Sequence, residues 1–495
     1  METPNWLLRR AERTPDRLAL AFGPLRLTFA DVAERALALA GALAAAGTGP
    51  GERVALWAEN GPGFVLSLAA CTLLGAAAVP LNTRLTVEEA AFQLADASPR
   101  LLLHDGPLGE RARAAAAQAG GVPTFALDPD DAFAGGAGAA PVRARIDLGD
   151  VHSVVYTSGT SGRPKGALVT YGNLWHGAVA HAMTLGVRTD DRWLACLPLF
   201  HVSGLAMLTR SWLYGLAVFV HERFEAERVN AAIDADGISA LSVVATALGR
   251  MLDARGRRPY PETLRLVLVG GGPAPLPLLE RAVALGVPVA TTYGLTETAS
   301  QAATLAPDRL AAHLGSAGTA LFPTDIRVVR EGGGDAAPGE VGEILVRGPT
   351  VTPGYLNRPE ESRRALEGGW LHTGDLGWLD AEGYLYVADR REDLIVTGGE
   401  NVYPAEVEAV LLRHPGVSEA AVVGLADPEW GQAVAAAVVP AAAGAVGVED
   451  LRAHCAAHLA GYKVPRRWRL VEELPHTASG KLMRGRVRET WPADG

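Results

Sequence analysis

A loop rich in small and hydroxyl-bearing residues follows a predicted strand between positions 154 and 173, in VVYTSGTSGRPKGALVTYGN. Small residues let backbone N–H groups approach phosphate oxygens, hydroxyl groups add donors, and a lysine adds positive charge. A Walker A loop is excluded, because Pro164 stands where its second glycine should be and Gly166 where its magnesium-binding Ser or Thr should be. The pattern favours a polyphosphate cradle over an ordinary Ser/Gly loop, and its candidate residues are Thr157, Ser158, Gly159, Thr160 and Lys165.

Lysine is rare in this chain, since only Lys165, Lys463 and Lys481 are lysine among 45 basic residues. Arginine fills the ordinary surface positions, so a retained lysine indicates a need for a compact, rotatable ammonium group. Lys481 lies in PHTASGKLMRGRV, where a loop would present its charge. An ammonium group in such a loop is suited to stabilising negative charge in a transition state.

Two carboxylates lie in segments that favour ligand binding. Glu297 follows a predicted strand in TTYGLTET, and open α/β sheets bind ligands beyond the carboxyl ends of their strands. Its oxygens suit a hard cation such as Mg²⁺. Asp375, in HTGDLG, can accept hydrogen bonds from both hydroxyls of a ribose, although a turn-capping aspartate is the alternative. The neighbouring candidates are Thr296, the flat ring of Tyr293, and Gly271 and Gly272, whose backbone a base can approach. Gly294, in the turn before Thr296, is a candidate for binding the substrate.

Hydrophobic periodicity predicts that strands and helices alternate over 15–130 and again over 151–320, and these elements must position the candidate residues. This order predicts mostly parallel sheets covered by helices on both faces. After residue 320 the pattern becomes β-rich, and GYLYVADRREDLIV reads as a strand pair with a charged corner. A compact α+β unit follows.

We therefore predict an α/β fold with a large N-terminal domain of doubly wound, mixed or parallel sheets and a β-rich subdomain, followed by a small mobile α+β C-terminal domain. The predicted domains are 1–388 and 389–495.

Composition excludes several classes of protein. The 495 residues are 48% hydrophobic and carry a net charge of −10, which argues against nucleic-acid binding. Three scattered cysteines indicate a reducing compartment. The charged N-terminus argues against a secretory signal, so we predict a cytoplasmic protein. The uncharged run 60–83 is broken by glycine and proline, so we expect a buried helix and strand and no membrane span. A homo-oligomer remains open.

The motifs, taken in order, resemble those of the adenylate-forming superfamily of acyl-CoA synthetases, luciferases and nonribosomal adenylation domains. YTSGTSGRPKG resembles the phosphate-binding signature, TTYGLTET the adenine and magnesium segment, and HTGDLG the ribose-binding segment. DRREDLIVTGGENVYPAEVE, at 389–408, looks like the hinge region, and PHTASGKLMRGRV like the C-terminal lysine loop. The resemblance covers nearly the whole chain.

The resemblance implies that ATP, with Mg²⁺ bound by Glu297, converts a small carboxylic acid into an acyl-adenylate, which coenzyme A then captures as a thioester. It implies that Lys481 assists adenylation, that Arg390 reaches the ribose or phosphates, and that Asp389 is the hinge of a domain rotation. For Lys463, a contact to a coenzyme A phosphate and a structural role remain open.

The identity of the acid depends on the pocket. PLFHVSGLAMLTRSWLYG and GGGPAPLPLLE resemble a branch of the family whose aromatic acid keeps a second carboxylate after activation. Arg210 is the candidate partner of that carboxylate, because it lies about 20° from Ser203 around a predicted helix. An exposed arginine is the alternative. His201 is expected to gate the pocket or orient the acyl carbonyl, unless it is a packing histidine. Alternative functions are an aryl- or medium-chain acyl-CoA synthetase with an apolar pocket, and an adenylation module serving a carrier protein.

Overall fold

The structure is a computed structural model that describes residues 1–127, 142–157, 164–272, 274, 276–330, 332–389, 394–441, 446–475 and 484–492. The chain divides into two compact units. The first contains residues 1–83, 94–155 and 166–388, and the second contains residues 84–93, 156–165 and 389–495.

The helices and strands follow one another in chain order. Up to residue 157 they are β1 (Glu2–Pro4), α1 (Trp6–Arg13), β2 (Leu18–Phe22), β3 (Leu25–Thr28), α2 (Phe29–Ala45), β4 (Arg53–Trp57), α3 (Pro62–Leu74), β5 (Ala77–Pro80), α4 (Val87–Ala97), β6 (Leu101–His104), α5 (Gly109–Gln118), β7 (Thr124–Ala126), β8 (Arg145–Asp147) and β9 (Val151–Thr157). Up to residue 320 they are β10 (Lys165–Thr170), α6 (Tyr171–Leu185), β11 (Arg192–Ala195), α7 (Val202–Tyr214), β12 (Ala217–Val220), α8 (Ala226–Ala235), β13 (Ala240–Val243), α9 (Ala245–Arg255), β14 (Leu266–Val269), α10 (Leu276–Ala284), β15 (Val289–Tyr293), β16 (Ala303–Leu305) and β17 (Thr319–Ala320). Beyond it they are β18 (Asp325–Val329), β19 (Gly342–Arg347), α11 (Pro359–Ala365), β20 (Leu371–Leu379), β21 (Leu385–Asp389), β22 (Ile395–Thr397), β23 (Glu400–Val402), α12 (Pro404–Leu411), β24 (Val417–Asp427), β25 (Gly431–Pro440), α13 (Val448–His458), β26 (Arg467–Leu470) and α14 (Arg484–Glu489).

Two largely parallel sheets form the centre of the fold, as the alternating pattern predicts. Among the described residues, one has the strand order β10-β9-β5-β4-β6-β7 and the other the order β17-β16-β15-β14-β13-β11-β12-β2-β3. Strands such as β14, LVLV, are continuous apolar runs and are fully buried, as expected where helices cover both faces of a sheet. Sheet membership does not follow chain order, because the early hairpin β2–β3 pairs with β12 of the second sheet.

The uncharged run 60–83 forms the helix α3 and the strand β5, and both are buried. Pro62 starts the helix, where its missing N–H group costs no hydrogen bond, and Gly75 ends it in the left-handed conformation. The prediction of a buried helix and strand is confirmed. Across the described ranges, none of the helices combines the length and apolar character needed to cross a bilayer.

The β-rich subdomain is a sheet of strand order β18-β19-β20-β21, and the second unit contains a sheet of β22 to β26. The prediction that GYLYVADRREDLIV forms a strand pair was wrong. Strand β21 belongs to the first of these sheets, whereas β22 pairs with β23 and β25 of the other. Alternating apolar residues identified both strands but could not show that each has a different partner.

Candidate active site

Tyr293 and Asp375, which are 82 positions apart in the chain, are joined by a hydrogen bond. The phenol Oη of Tyr293 donates to Oδ2 of Asp375 at 2.7 Å, and both side chains are buried. Tyr293 ends β15, whereas Asp375 lies inside β20, so it is not the cap of a turn. The backbone N–H of Asp375 donates to Oγ1 of Thr373, which in turn donates to the carbonyl of Ile344. The carboxylate is therefore held in one place by two strands.

A tight loop carries Thr296 and Glu297 beyond the end of β15. Both residues lie in a single 3-10 turn, Thr296–Thr298, and both are half-buried. A Cβ atom at Gly294 would lie 1.6 Å from the carbonyl oxygen of Ser300, so the loop closes tightly only because residue 294 is glycine. The loop returns through left-handed backbone at Ala299, with φ of 52°.

Glu297 is contacted twice by one segment of chain. Its backbone carbonyl accepts a hydrogen bond from the N–H of Thr352 at 2.7 Å, and its carboxylate Oε1 accepts one from Oη of Tyr355 at 2.9 Å. These bonds keep the carboxylate in a defined position at the end of the parallel sheet.

The donor chemistry of this site fits magnesium. Among the described residues, no three of His, Cys, Asp and Glu converge on one point. Magnesium needs no such cluster, because it is usually bound by one or two carboxylates together with substrate phosphates and water. Glu297 would be its protein ligand, and the bound cation would neutralise charge on the phosphates.

The glycines after β14 lie beside the same strand. A Cβ atom at Gly270 would lie 2.8 Å from Cγ2 of Thr292, one residue before Tyr293. Gly271 has φ of 78° and is exposed, and Gly272 is half-buried. This backbone therefore packs closely on β15, and the approach of a base to it stays a prediction.

The predicted phosphate loop is described only at its two ends. Thr157 ends β9 and Lys165 begins β10, and Oγ1 of Thr157 donates to the carbonyl of Lys165 at 3.5 Å. Ser158, Gly159, Thr160, Arg390 and Lys481 lie outside the described residues. Asp389 ends β21, and its side chain is likewise outside the description.

The predicted acid-binding residues lie on or next to one helix. His201 is the residue before α7, and Ser203 is in its first turn; both are half-buried. The side chain of Asn60 holds the preceding loop by accepting from the N–H of Leu199 at 2.8 Å. Gly204 lets that loop pack on the helix, because a Cβ there would lie 2.6 Å from Cα of Leu199. The start of α7 is therefore fixed by its local packing.

Arg210 is 3% exposed, so the alternative of a solvated arginine was wrong. Its guanidinium lies 4.8 Å from the centre of the Trp193 ring and donates to Oε1 of Gln301 at 3.2 Å. Nδ1 of His181 lies 2.9 Å from the same oxygen. Burial lowers the pKa of Arg210 to about 10, which still leaves it charged at neutral pH. Within the described part of the chain, it forms no ion pair with a carboxylate and its Nε has no hydrogen-bond partner.

Lys463 is buried in the second unit, where Nζ lies 2.9 Å from a carboxylate oxygen of Glu89 and 2.8 Å from one of Glu406. Burial alone would lower the pKa of Lys463, but Tyr462 and the two carboxylates outweigh burial and raise it. These contacts support the structural role of Lys463 over a contact to a coenzyme A phosphate.

Sequence reasoning missed Gln301, Tyr355 and Thr352. Gln301 joins Arg210 to His181, and its Nε2 donates to Oγ1 of Thr304 at 2.9 Å. The position of Gln301, just after TTYGLTET, was a usable signal. Tyr355 and Thr352 lie in the stretch TVTPGYLN, in which we found no sequence signal for their role.

The comparison with known proteins defines the class. The AMP-binding enzyme family matches residues 7–356, and the AMP-binding enzyme C-terminal domain matches residues 406–481. The chain belongs to the AMP-binding enzyme family.

Its relatives include proteins of one named activity. The chain is 44% identical over 490 residues to a 2-succinylbenzoate–CoA ligase of Bacillus cereus, covering 99% of each chain. It is 42% identical, with a TM-score of 0.94 and 99% of each chain covered, to a double mutant of o-succinylbenzoate CoA synthetase (MenE) from Bacillus subtilis bound to the product analogue OSB-NCoA. Two further structures of the B. subtilis enzyme are each 41% identical to this chain. The one with the acyl-adenylate intermediate OSB-AMP has a TM-score of 0.77, with 99% of this chain and 98% of that one covered. The one with ATP and magnesium ion has a TM-score of 0.76, with 98% and 99% covered.

Proposed function

We propose that this protein is an ATP-dependent acid–thiol ligase that converts 2-succinylbenzoate to 2-succinylbenzoyl-CoA, a step of menaquinone biosynthesis, using ATP, Mg²⁺ and coenzyme A. The observation that carries this proposal is the 44% identity, over nearly the full length of both chains, to a relative with that named activity. The motifs, the fold and the local contacts of Tyr293, Asp375 and Glu297 support the same chemistry.

The reaction has two half-reactions because a carboxylate is a poor acyl donor. In the first, a carboxylate oxygen attacks the α-phosphorus of ATP and pyrophosphate leaves. In the second, the thiol sulfur of coenzyme A attacks the acyl carbonyl and AMP leaves with the bonding electrons. Each step needs its own arrangement of charged groups around the reacting atoms.

Roles follow for the residues of the first unit. Asp375, held by Tyr293, would accept from the ribose hydroxyls, and the backbone at Gly271 and Gly272 would lie beside the base. Glu297, with Thr296 next to it, would hold the magnesium ion, which lowers the repulsion between the phosphates and the attacking carboxylate.

Roles proposed for the remaining motif residues rest on their sequence. The loop at 157–165 would bind the phosphates of ATP and Lys481 would stabilise charge during adenylation. Arg390 would reach the ribose or phosphates. Asp389 would be the hinge between domains 1–388 and 389–495. Rotation about it would gate the two half-reactions.

Arg210 supports the choice of acid. A buried guanidinium without a carboxylate partner is costly, and an anion placed near it recovers part of that cost. The ring carboxylate of 2-succinylbenzoate, which is not consumed in the reaction, is such an anion. Benzoate and simple fatty acids would leave Arg210 without one. Ser203, in the first turn of the same helix, and His201, the residue before that helix, would complete the acid site with Gly294.

The proposal is tested by initial rates of pyrophosphate release with ATP and Mg²⁺, for each of 2-succinylbenzoate, benzoate, hexanoate and palmitate, with and without coenzyme A. We expect a much higher rate with 2-succinylbenzoate than with the other acids. We also expect pyrophosphate release to continue beyond one turnover only when coenzyme A is present. Preference for a simpler acid would make the protein an aryl- or medium-chain acyl-CoA synthetase. A single turnover unaffected by coenzyme A would indicate an adenylation module. A cytoplasmic location and a homo-oligomer remain predictions.

A further inference from the structure

The segment 349–356, called here the connecting segment, lies along β10, the strand that follows the predicted phosphate loop. Ala167 and Tyr355 form an antiparallel bridge. On either side of it, the N–H of Leu168 donates to the carbonyl of Gly354 at 3.0 Å, and that of Leu356 donates to the carbonyl of Gly166 at 2.8 Å. The connecting segment is therefore paired with the first residues after the loop.

The connecting segment is also fixed at its start. Nδ2 of Asn173 donates to the carbonyls of Pro349 and Val351, both at 2.9 Å. Asn173 is buried and lies in the first turn of α6, directly after β10. Its Oδ1 accepts from the N–H of Thr170, so its amide orientation is defined by partners on both sides.

The end of the connecting segment is held by α11. The N–H of Tyr355 donates to Oγ of Ser362 at 2.8 Å. Gly354 has φ of 141°, and a Cβ atom there would lie 2.7 Å from the same hydroxyl, so only glycine allows this contact. Beyond it, Arg358 forms an ion pair with Asp96 at 3.0 Å.

From this fixed position the connecting segment reaches Glu297 through two hydrogen bonds. Thr352 binds the backbone carbonyl and Tyr355 binds the carboxylate. Thr352 is buried, and its hydroxyl donates to the carbonyl of Leu168 at 2.6 Å. One short stretch of chain thus contacts both the proposed magnesium ligand and the strand that follows the phosphate loop.

We propose that Tyr355 is a positioning residue for magnesium: its phenol holds the Glu297 carboxylate in the orientation that binds the cation beside the phosphates of ATP. A hydrogen bond to one oxygen of a metal-binding carboxylate restricts its rotation and orients the remaining lone pairs. This inference deepens the proposed function and rests on the role of Glu297 in it.

The test is metal binding measured directly. Mn²⁺, a spectroscopic substitute for Mg²⁺, is titrated by electron paramagnetic resonance into the full-length protein saturated with a non-hydrolysable ATP analogue. Tyr355→Phe is expected to weaken Mn²⁺ binding about tenfold, the lower end of what such supporting contacts contribute, while affinity for the nucleotide without metal is unchanged. Tyr386→Phe is the matched control, because Tyr386 lies in β21, outside the connecting segment, and its ring stacks on Trp378.

A double-mutant comparison separates positioning from general damage to the fold. In a Glu297→Gln background, Tyr355→Phe is expected to have no further effect on Mn²⁺ binding, because the carboxylate it positions is gone. Melting temperatures of all variants identify any that fail to fold; Thr352→Ser, which keeps the backbone bond to Glu297, is a folded reference for the segment.

Unchanged Mn²⁺ affinity in Tyr355→Phe, or equal losses in the presence and absence of the Glu297 carboxylate, would overturn the inference. No acid substrate enters the titration, so a failure of the proposed function in its choice of acid leaves this result unaffected.

Discussion

At the scale of single residues, Arg210 is the side chain on which acid specificity depends. Its buried guanidinium donates to Gln301 and lies over the Trp193 ring, and no carboxylate among the described residues pairs with it. We expect Arg210→Leu to lower kcat/KM for 2-succinylbenzoate by about a hundredfold, the loss of a charge-assisted hydrogen bond in a buried site. The same substitution should change kcat/KM for benzoylpropionate, which lacks the ring carboxylate, by less than about threefold. Equal losses on both acids would make Arg210 purely structural.

His152 is a second buried residue with a measurable consequence. It lies in β9 and is 1% exposed, and burial lowers its pKa to about 3. Below pH 6.5, the unfolded chain therefore takes up a proton that the folded chain does not. The stability from neutral His152 is fully present above pH 6.5 and is lost as pH falls towards 3.

For the wild type, this residue alone should lower the free energy of unfolding by about 2 kcal/mol between pH 6.5 and 5. The free energy of unfolding is measured by urea denaturation at both pH values. We expect its decrease between them to be smaller by that amount in His152→Leu than in the wild type. Other buried histidines, such as His181, are present in both proteins, so their contributions to the pH dependence cancel in the comparison. An identical pH dependence in both would show that His152 is protonated in the folded state.

The motifs alone predicted which residues carry charge and where glycine is needed, because those requirements are local. They could not predict long-range partners. Tyr355 lies 58 positions from Glu297, and Arg210 lies 91 positions from Gln301. Such pairs arise only when elements from different parts of the chain pack together in the folded protein.

At the scale of secondary-structure elements, the loop after β15 depends on Gly294. Because a Cβ atom there would overlap the carbonyl of Ser300, Gly294→Ala must change the path of the loop that carries Thr296 and Glu297. A displacement of about 1 Å near reacting groups costs on the order of a hundredfold in rate. We expect pyrophosphate release to fall by at least about that factor.

Gly249→Ala is the control for this substitution. A Cβ atom at Gly249, in α9, meets only Cδ1 of Leu278 at 3.8 Å, an ordinary contact. That variant should keep full activity and gain slightly in melting temperature, since alanine favours helix. Normal activity in Gly294→Ala would show that the loop is not held as described.

The type of most elements followed from the sequence, because buried parallel strands are short apolar runs and amphipathic helices have a clear period. Which strands pair with each other did not follow from the sequence. The hairpin β2–β3 joins the far sheet, and β21 and β22 belong to different sheets, since alternation of side chains does not specify a partner strand.

At the scale of the whole molecule, the second unit contains a buried ion cluster formed by Lys463 with Glu89 and Glu406. Removing the cation leaves two carboxylates buried near each other, so we expect Lys463→Met to reduce the free energy of unfolding by about 3–5 kcal/mol. The adenylation rate of the folded fraction should not change. Arg452→Met, at an exposed pair with Glu449, should change stability by less than about 1 kcal/mol. Unaltered stability in Lys463→Met would contradict the structural role.

The claim that joins all three scales is that this chain forms one particular acyl-CoA. The most direct measurement offers 2-succinylbenzoate, benzoate, hexanoate and palmitate together at equal concentration, with Mg²⁺, coenzyme A and limiting ATP, and identifies the thioesters by mass spectrometry. We expect 2-succinylbenzoyl-CoA to dominate, with one AMP formed for each thioester. Dominance of any other acyl-CoA, or AMP formation without a thioester, would contradict it.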